Sequence, residues 1–338
     1  MTEALNVLVL GVGGNVSQGV LKALAVTSLD CRVIAACVSP LAAGLYSADL
    51  AMISPPASDP NFLSWLLDVC HQHGVQAILS GVEPVLARLA PEAERIRRET
   101  GAVCVVSPPE VLAVADDKLE TSRWLAALAD ACGYPLIAKP RAGKGMHGVF
   151  EVAGPAELAR AGSLPGYVVQ ELLGTPDTEY TVGCFSDRDG RVAGSIAMKR
   201  DLLHGTTYRA EAGDFPEVTA EAVRIAAALR PTGPCNVQLR MHQGRPVCFE
   251  INVRFSGTTP VRARFGFNEV EAALSHFVLG QEPTGLGPVR HGYMLRYWNE
   301  IYLDADAVPK LAEQGYLEQP CMAADTEDFG MDPGGWRR

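Results

Sequence analysis

The feature that most restricts the fold is the alternation that fills the first third of the chain. "NVLVLGV", a helical stretch from about Ser17 to Val26, "CRVIAACVS", a second helix near Asn61 to His73, "VQAILSG", "PVLARLAPEAERIRRETG" and "AVCVVS" follow one another. Short apolar runs separated by helical stretches predict a parallel sheet, because parallel neighbours need a crossover and the helix supplies it. The pattern changes at "SPPEVLAVADDKLETSRWLAALADACGYP". There Asp117, three residues before Glu120, starts a helix in capping-box fashion, Gly133 is placed as a C-cap, and Pro135 prevents continuation. Beyond Pro135 the chain reads as hairpins: "PLIAKP", "GVFEV", a helical "GPAELARAG", "GYVVQELLG" and "EYTVGCFSDRDGRVAGSIAM", with a turn at Asp189-Gly190. A helix over Glu217 to Leu229 precedes another hairpin around Gln243-Gly244, and a last helix runs near Asn268 to Leu279. The tail from about Pro283 carries no readable pattern.

Several function classes are excluded early. Acidic residues outnumber basic ones 39 to 29, for a formal charge of -10, and no Lys/Arg block is present, so no nucleic-acid partner is expected. The opening "MTEALNVLVLGVGG" lacks a positive n-region and reads as a buried strand, not a signal peptide. No apolar stretch reaches the roughly 18 residues of a membrane span. The nine cysteines never form C-x-x-C and most lie in apolar strands such as "AVCVVS" and "PVCFEIN", so they read as buried thiols of a cytoplasmic protein.

"VLGVGGNVSQG", residues 9–19, sits where a dinucleotide fingerprint would sit. The third glycine of G-x-G-x-x-G falls on Val16, and the second strand ends in Ser39 and Pro40 instead of the acidic residue that binds a ribose. Two physical requirements of a nicotinamide-dependent oxidoreductase therefore fail. The stretch still makes a strand-to-helix turn whose N–H groups favour an anion. Gly13, Gly14 and Asn15 are candidate contacts for a substrate carboxylate or phosphate.

The densest chemistry lies in "CNVQLRMHQGRPVCFEINVRFSG". Side chains alternate along a strand, so Glu250 and Asn252 share one face while Phe249 and Ile251 point into a core. Gln238 on the partner strand falls roughly opposite, and Arg254 follows two residues on. One carboxylate and two amide oxygens suit magnesium, which completes its shell with water and phosphate oxygens. A solvated polar strand face is the competing reading.

"LIAKPRAGKGMHGV" places Lys139 at the end of an apolar strand, before a glycine-rich loop that closes at Gly148. Such a loop lets backbone N–H groups approach anionic oxygens. It is not a P-loop, since Lys144 is followed by Gly145 and no strand-to-helix junction follows. His147 is either a phosphate contact or an ordinary loop histidine. Lys118 opens a capped helix, and "VVQELL" ends in Gln170, Glu171, Leu172 and Leu173, whose main chain suits an adenine edge while Glu171 suits a ribose hydroxyl.

Taken in order, "DDKLETSRWL", "LIAKPRAGKGMHGV", "VVQELL", "EYTVGCF" and "CNVQLR…CFEINVRFSG" resemble the ATP-grasp superfamily. The resemblance covers nearly the whole chain. It is strongest to the branch typified by the carbamoyl-phosphate synthetase large subunit and the pyrrolysine-biosynthesis ligase. It implies an α/β and α+β chain in four parts: a parallel Rossmann-like pre-ATP-grasp domain over residues 1–112, a small lid subdomain over 113–173, a subdomain with the metal site over 174–285, and an extension over 286–338. By motif position Lys118 and Lys139 would contact ATP phosphates, Glu171 and Leu173 would line the adenine and ribose pocket, and Glu179 would meet the ribose. Gln238, Glu250 and Asn252 would hold magnesium, expected as two ions, with Gln238 where many members carry an acidic residue. Arg254 would stabilise the transferred phosphoryl group. A second lid is expected at "KRDLLHGTTYRAEAGD", where Lys199, Arg200, His204 and Arg209 cluster and Arg209 or Lys199 would touch substrate or phosphate. Ser256 and Gly257 are further substrate candidates.

One departure stands out. Between Lys118 and Lys139 the family carries a longer insert, while here "WLA" runs straight into "LADACGYP". Either an edge strand has been trimmed from the ATP-binding subdomain, or residues are missing at this point; the second is favoured because "LADACGYP" reads like the end of a second helix, and the join near Ala126 and Ala127 would then be artificial, with no helix across it. The expected activity is an ATP-dependent ligase that phosphorylates a small carboxylate and captures the acyl phosphate with an amine, with association into a homodimer implied by resemblance. Carbamoyl-phosphate-type synthesis and a silent ATP-binding module are the alternatives, the second disfavoured by the presence together of Lys139, Glu250, Asn252 and Arg254.

Overall fold

The computed structural model describes residues 4–117, 119–120, 136–141, 148–320 and 324–325, and the chain divides into two compact units. Lys118, His147, Gly133, Pro135 and the join near Ala126 and Ala127 lie outside the described residues.

The first unit comprises residues 1–105, 277–280 and 296–338. Its sheet is built from β1 (Leu5–Leu10), β2 (Cys31–Cys37), β3 (Leu50–Ile53), β4 (Ala77–Ser80) and β5 (Val103–Cys104), all parallel, in the order β3-β2-β1-β4-β5. The continuous apolar runs become central strands: Leu8, Ile34, Leu50 and Ile78 are fully buried in one core. The helix Asn15–Leu24 follows β1, and Phe62–His73 ends at Gly74 in the left-handed conformation. "PVLARLAPEAERIRRETG" is a broken helix, Glu83–Leu89, a 3-10 turn Ala90–Glu92, then Ala93–Thr100. Pro91 explains the break, since it lacks the N–H an unbroken helix would use. The tail is not patternless: Tyr316–Glu318 returns as an antiparallel edge strand on β3. Three residues are too few to show a period in sequence.

The second unit comprises residues 106–276 and 281–295. It holds β6 (Leu136–Pro140), β7 (Phe150–Val152) and β8 (Tyr167–Glu171) in one antiparallel sheet, order β7-β6-β8, with the helix Pro155–Ser163 beside it. A larger antiparallel sheet contains β9 (Glu179–Ser186), β10 (Val192–Leu203), β11 (Thr206–Ala212), β12 (Gly233–His242), β13 (Arg245–Asn252) and β14 (Gly292–Leu295), in the order β13-β12-β9-β10-β11-β14. One face of it, carrying Val182, Cys184, Cys235, Val237 and Ile251, is fully buried, and the helix Pro216–Leu229 packs on β9, β10, β12 and β13. The other face mixes buried Phe185, Ile196 and Met198 with the polar Thr181, Asn236, Gln238, Glu250 and Asn252.

Three expectations need correction here. "KRDLLHGTTYRAEAGD" is no loop: it is β10 and β11, joined where His204 and Gly205 take positive φ of 50° and 76°. The alternating, β-branched "TTYRAEA" had the strand period all along. Phe249 does not enter the core, because the β12–β13 register shifts between Gln238 and Leu239 and makes Phe249 the extra residue of a bulge. It is half-buried, 5.5 Å from the Arg240 guanidinium. The last helix is α-helical only over Glu269–Ala273, capped by the Asn268 side chain, and widens to a π turn over Leu274–Val278. Among the described residues no helix is long and apolar enough to cross a membrane.

Candidate active site

In the larger sheet of the second unit the pleat gathers charge on the face that carries Thr181, Gln238 and Glu250. Gln238 is directly paired with Glu250, and Asn236 with Asn252, across β12 and β13. Thr181 of β9 is opposite Gln238, and Met198 of β10 is opposite Thr181, so Arg200 shares this face. Asn252 Nδ2 donates to Glu250 Oε1 at 3.2 Å, and Arg254 Nη2 donates to Asn252 Oδ1 at 2.9 Å. Arg254 Nη1 also donates to the Phe255 carbonyl at 2.8 Å, which holds its side chain beside the strand end. Glu250, Asn252 and Arg254 thus form one hydrogen-bonded row.

Lys139, at the end of β6, is buried, and its Nζ donates to the carbonyl of Phe249 at 3.3 Å. The smaller sheet therefore delivers its lysine to the bulge next to Glu250. At its entry, Asp117 Oδ1 accepts from the N–H of Leu119 at 2.9 Å and of Glu120 at 3.4 Å, as an N-cap does. Arg141 Nε donates to both Asp117 oxygens at 2.7 Å, and that hydrogen bond holds the Asp117 carboxyl below the usual carboxylate range. Gly148 follows in a turn at φ +73°.

The segment Gln170 to Leu173 leaves β8 and is tied to β12. Arg240 Nη1 donates to the Leu173 carbonyl at 3.1 Å, and the Gly174 N–H donates to His242 Nδ1 at 3.1 Å. His242 Nε2 is 3.1 Å from Glu171 Oε1, close enough to pair but off line for a hydrogen bond. Glu179 is buried between two guanidiniums. Its Oε1 accepts from Arg200 Nε and Nη2 at 3.1 and 2.7 Å, and its Oε2 from Arg240 Nε and Nη2 at 3.0 and 2.8 Å. Arg200 Nη2 also donates to Gln238 Oε1 at 2.7 Å.

Lys199 and Arg209 are not on this face. Being adjacent to Arg200, Lys199 points through the sheet the other way, and Arg209, opposite Asp201 in the register, does likewise. Arg209 is exposed, 3.9 Å from Asp201 and stacked 5.8 Å from the Tyr208 ring. Ser256 is buried in the turn after β13, its Oγ 2.8 Å from Thr258 Oγ1, with Gly257 between them.

Sequence reading missed a second buried network behind that turn. Arg262 is fully buried, its Nη1 donating to Glu269 Oε1 at 2.9 Å and its Nη2 to the Asn236 side chain. Thr259 Oγ1 donates to Glu269 Oε2 at 2.9 Å. Only the absence of a side chain at Gly183 admits the guanidinium, since a Cβ there would be 2.5 Å from Nη1.

In the first unit Gly13, Gly14 and Asn15 are exposed at the carboxyl end of β1. Here the strand order turns, β2 on one side and β4 on the other, which is where open α/β sheets bind ligands. Asn15 Oδ1 accepts from Arg296 Nη1 at 3.2 Å, and burial together with Arg296 lowers the pKa of Lys22.

Among the described residues no three His, Cys, Asp or Glu side chains gather, which leaves no zinc-type cage. A carboxylate beside an amide, Glu250 and Asn252, fits the hard, oxygen-seeking magnesium ion that relies on substrate phosphates for the rest of its shell.

Comparison with known proteins agrees with this architecture. Residues 163–301 match the family model "ATP-grasp in the biosynthetic pathway with Ter operon", and residues 7–105 match the PylC-like N-terminal domain. The fold is similar to N5-carboxyaminoimidazole ribonucleotide synthetase from Thermus thermophilus, with a TM-score of 0.65 and 18% identity over 90% of this chain and 86% of that one. Residues 163–301 carry an ATP-grasp domain. Curated protein sequences give no match. Two further similar structures carry nucleotide. The Staphylococcus aureus N5-carboxyaminoimidazole synthetase complexed with ADP has a TM-score of 0.64 and 13% identity over 93% and 86% of the two chains. The Hydrogenobacter thermophilus 2-oxoglutarate carboxylase biotin carboxylase domain dimer, in complex with MgADP and bicarbonate, has a TM-score of 0.57 and 16% identity over 85% and 73%.

Proposed function

We propose that this ATP-grasp chain is an ATP-dependent ligase that joins a small carboxylate to an amine through an acyl phosphate, releasing ADP and phosphate. One observation carries the reading: Lys139 is brought to the backbone of Phe249, next to the Glu250, Asn252 and Arg254 row. A cation from one sheet and an oxygen donor set from the other meet where a triphosphate bound between them would need both.

In this reading the Gln170 to Leu173 main chain receives the adenine, Lys139, Lys118, His147 and Gly148 meet the phosphates, and Glu250 and Asn252 hold magnesium. Magnesium bound there would neutralise charge on the phosphate oxygens. A substrate carboxylate oxygen attacks the γ-phosphorus and the bond to ADP breaks. Lys139 and Arg254 offset the charge that spreads over the equatorial oxygens. The amine nitrogen then attacks the acyl carbon, phosphate leaves, and the amine proton is lost. Water must be excluded meanwhile, because hydrolysis of the intermediate would waste ATP. Gly13, Gly14 and Asn15 are assigned to a substrate anion, with Ser256 and Gly257 as further candidates. Likeness over residues 7–105 to the PylC-like N-terminal domain supports an amino-acid-like substrate.

The test is release of ADP and phosphate from ATP and magnesium against a panel of amino acids, singly and in pairs, with bicarbonate included. Turnover that needs both an acid and an amine supports the ligase. Turnover with bicarbonate and one amine would instead identify a carboxylating enzyme, and AMP with pyrophosphate would overturn the reading.

A further inference from the structure

We propose that His242 is a positioning residue for the nucleoside. As its Nε2–H tautomer it fixes Gly174, just past the Gln170 to Leu173 segment, and turns the Glu171 carboxylate to accept a hydrogen-bond donor of the bound nucleoside. The inference rests on the ligase reading above, in which that segment receives the nucleotide.

The end of β12 grips the chain where it leaves β8. Gly174 takes φ +46°, and a Cβ there would be 2.4 Å from the Met241 carbonyl oxygen and 2.6 Å from Thr178 Oγ1, so the main chain itself lies against the strand. The peptide group between Leu173 and Gly174 is bonded at both ends. Its carbonyl accepts from Arg240 Nη1 at 3.1 Å, and its N–H donates to His242 Nδ1 at 3.1 Å. Arg240 and His242 are alternate residues of β12 and share one face.

That second bond decides the tautomer. A backbone N–H can only donate, so Nδ1 must carry a lone pair, and the ring proton sits on Nε2. Nε2 is buried and lies 3.1 Å from Glu171 Oε1. The one donor of the imidazole is therefore next to a carboxylate of the segment whose exit its other nitrogen fixes. A histidine that served the fold alone would need only the Gly174 bond.

What Glu171 gains is orientation. The terminal torsion of a glutamate is broad, and a turn about it brings Oε1 into line with Nε2–H and fixes the plane of the carboxylate. A carboxylate bonded in this way keeps acceptor sites on its other oxygen. The Glu171 side chain is 35% exposed, so a ligand can reach it. Rotational freedom given up to His242 beforehand is not lost again when the ligand arrives. The chemistry recognised is a neutral O–H or N–H donor, which a nucleoside offers in its ribose hydroxyls and in its exocyclic amine.

The test compares ADP with 2′,3′-dideoxy-ADP and with purine riboside 5′-diphosphate, by calorimetry with magnesium, on the full native chain and on His242→Asn. The asparagine oxygen falls near the place of Nδ1, so the variant keeps an acceptor for Gly174 and drops the donor to Glu171. One analogue is expected to bind the native protein roughly tenfold more weakly than ADP, about the worth of one hydrogen bond to a charged group. In His242→Asn that gap should close to under about threefold through a loss for ADP, with the affinity of the analogue held within about twofold. A gap for the dideoxy analogue places Glu171 at the ribose, and a gap for the purine riboside places it at the exocyclic amine; either supports the proposal. Equal losses for ADP and analogue in His242→Asn would make the histidine merely structural and overturn it, as would a gap that survives the substitution. The tautomer is read without a variant: nitrogen-15 spectra of labelled histidine in the native protein with ADP should show His242 protonated at Nε2, and protonation at Nδ1 would overturn the proposal even if His242→Asn does not fold. Native protein that binds ADP but discriminates against neither analogue removes this inference and leaves the ligase reading standing. Native protein that binds no ADP overturns both.

Discussion

Lys139 Nζ donates to the Phe249 carbonyl at 3.3 Å, a contact between residues 110 positions apart that brings a buried lysine from β6 to the bulge of β13. A unit charge about 4 Å from a phosphate oxygen is worth roughly 4 kcal/mol at an effective dielectric near 20. If half of that is realised in the transition state, Lys139→Met should lower kcat/KM for ATP-dependent ADP release about 30-fold, and full realisation would approach 1,000-fold. A fall of less than fivefold, with the melting temperature unchanged, would remove Lys139 from the phosphate site.

Arg254 tests the other side of the same arrangement. Its guanidinium is held by Asn252 Oδ1 and the Phe255 carbonyl, and a group that acts only as charge develops should appear in kcat and not in nucleotide affinity. Arg254→Ala is expected to lower kcat by about 100-fold or more while ADP affinity changes less than threefold, by calorimetry. Arg254→Lys should recover little, because a point charge cannot hold both acceptors as a planar fork does. Equal losses in kcat and in ADP affinity would place Arg254 in ground-state binding instead.

These expectations show what was legible in the sequence. The parallel layer was readable because β1, β2 and β4 are continuous apolar runs, and Gln238 opposite Glu250 followed from two hairpin strands and one turn at Gln243-Gly244. The bulge at Phe249 was not readable, since one extra residue leaves no mark on a period of two until the register is known. Arg200 reads as part of a loop in sequence because Gly205 and a charged run mask a strand. Its partners Glu179 and Gln238 are 21 and 38 residues away, and only the sheet order brings them to it. The buried Arg262 was invisible for a similar reason. Its cause, the lack of a side chain at Gly183, sits 79 positions earlier by their residue numbers.

The Asp117–Arg141 pair predicts a small acid sensitivity. The hydrogen bond from Arg141 lowers the Asp117 pKa from 3.8 in the folded state, so the pair contributes stability above that value and loses it as pH falls through the folded pKa. The pair is partly exposed, so the contribution is small and screened by salt. Asp117→Asn should melt slightly lower than the native protein at pH 7, and the gap should close as pH drops from 5 towards 2. A gap that stays constant across that range would show that the pair does not carry it.

The cysteines of the two cores predict a chemical silence. Burial pushes the thiols of Cys70, Cys184 and Cys248 up to about 12, and that of Cys235 well above its ordinary range. The thiolate is the reacting species, so at pH 8 these four should resist iodoacetamide in the native protein and react after unfolding in urea. Native alkylation at Cys184 or Cys235, read by peptide mass spectrometry, would contradict the buried packing of β9 and β12.

The Arg262 network gives the prediction with the largest expected effect on stability. Glu269 is fully buried, and desolvation raises its pKa even with Arg262 and Thr259 bonded to it. The pair therefore survives only as a pair: removal of one partner leaves a charge without compensation, at a cost of about 3–5 kcal/mol. Arg262→Met should cost that much, measured by urea unfolding. Gly183→Ala reaches the same network from the other side. Its Cβ would be 2.5 to 2.7 Å from the guanidinium atoms, so Arg262 must shift and strain its bonds to Glu269 and Asn236. Overpacking of this kind costs roughly 1–3 kcal/mol. Because both substitutions act on one group, Gly183→Ala should add little once Arg262 is already Met, and the double variant should be less destabilised than the sum of the singles. Additive losses would mean that Gly183 is constrained by something other than Arg262, and the account of this turn behind Arg254 would have to be redrawn.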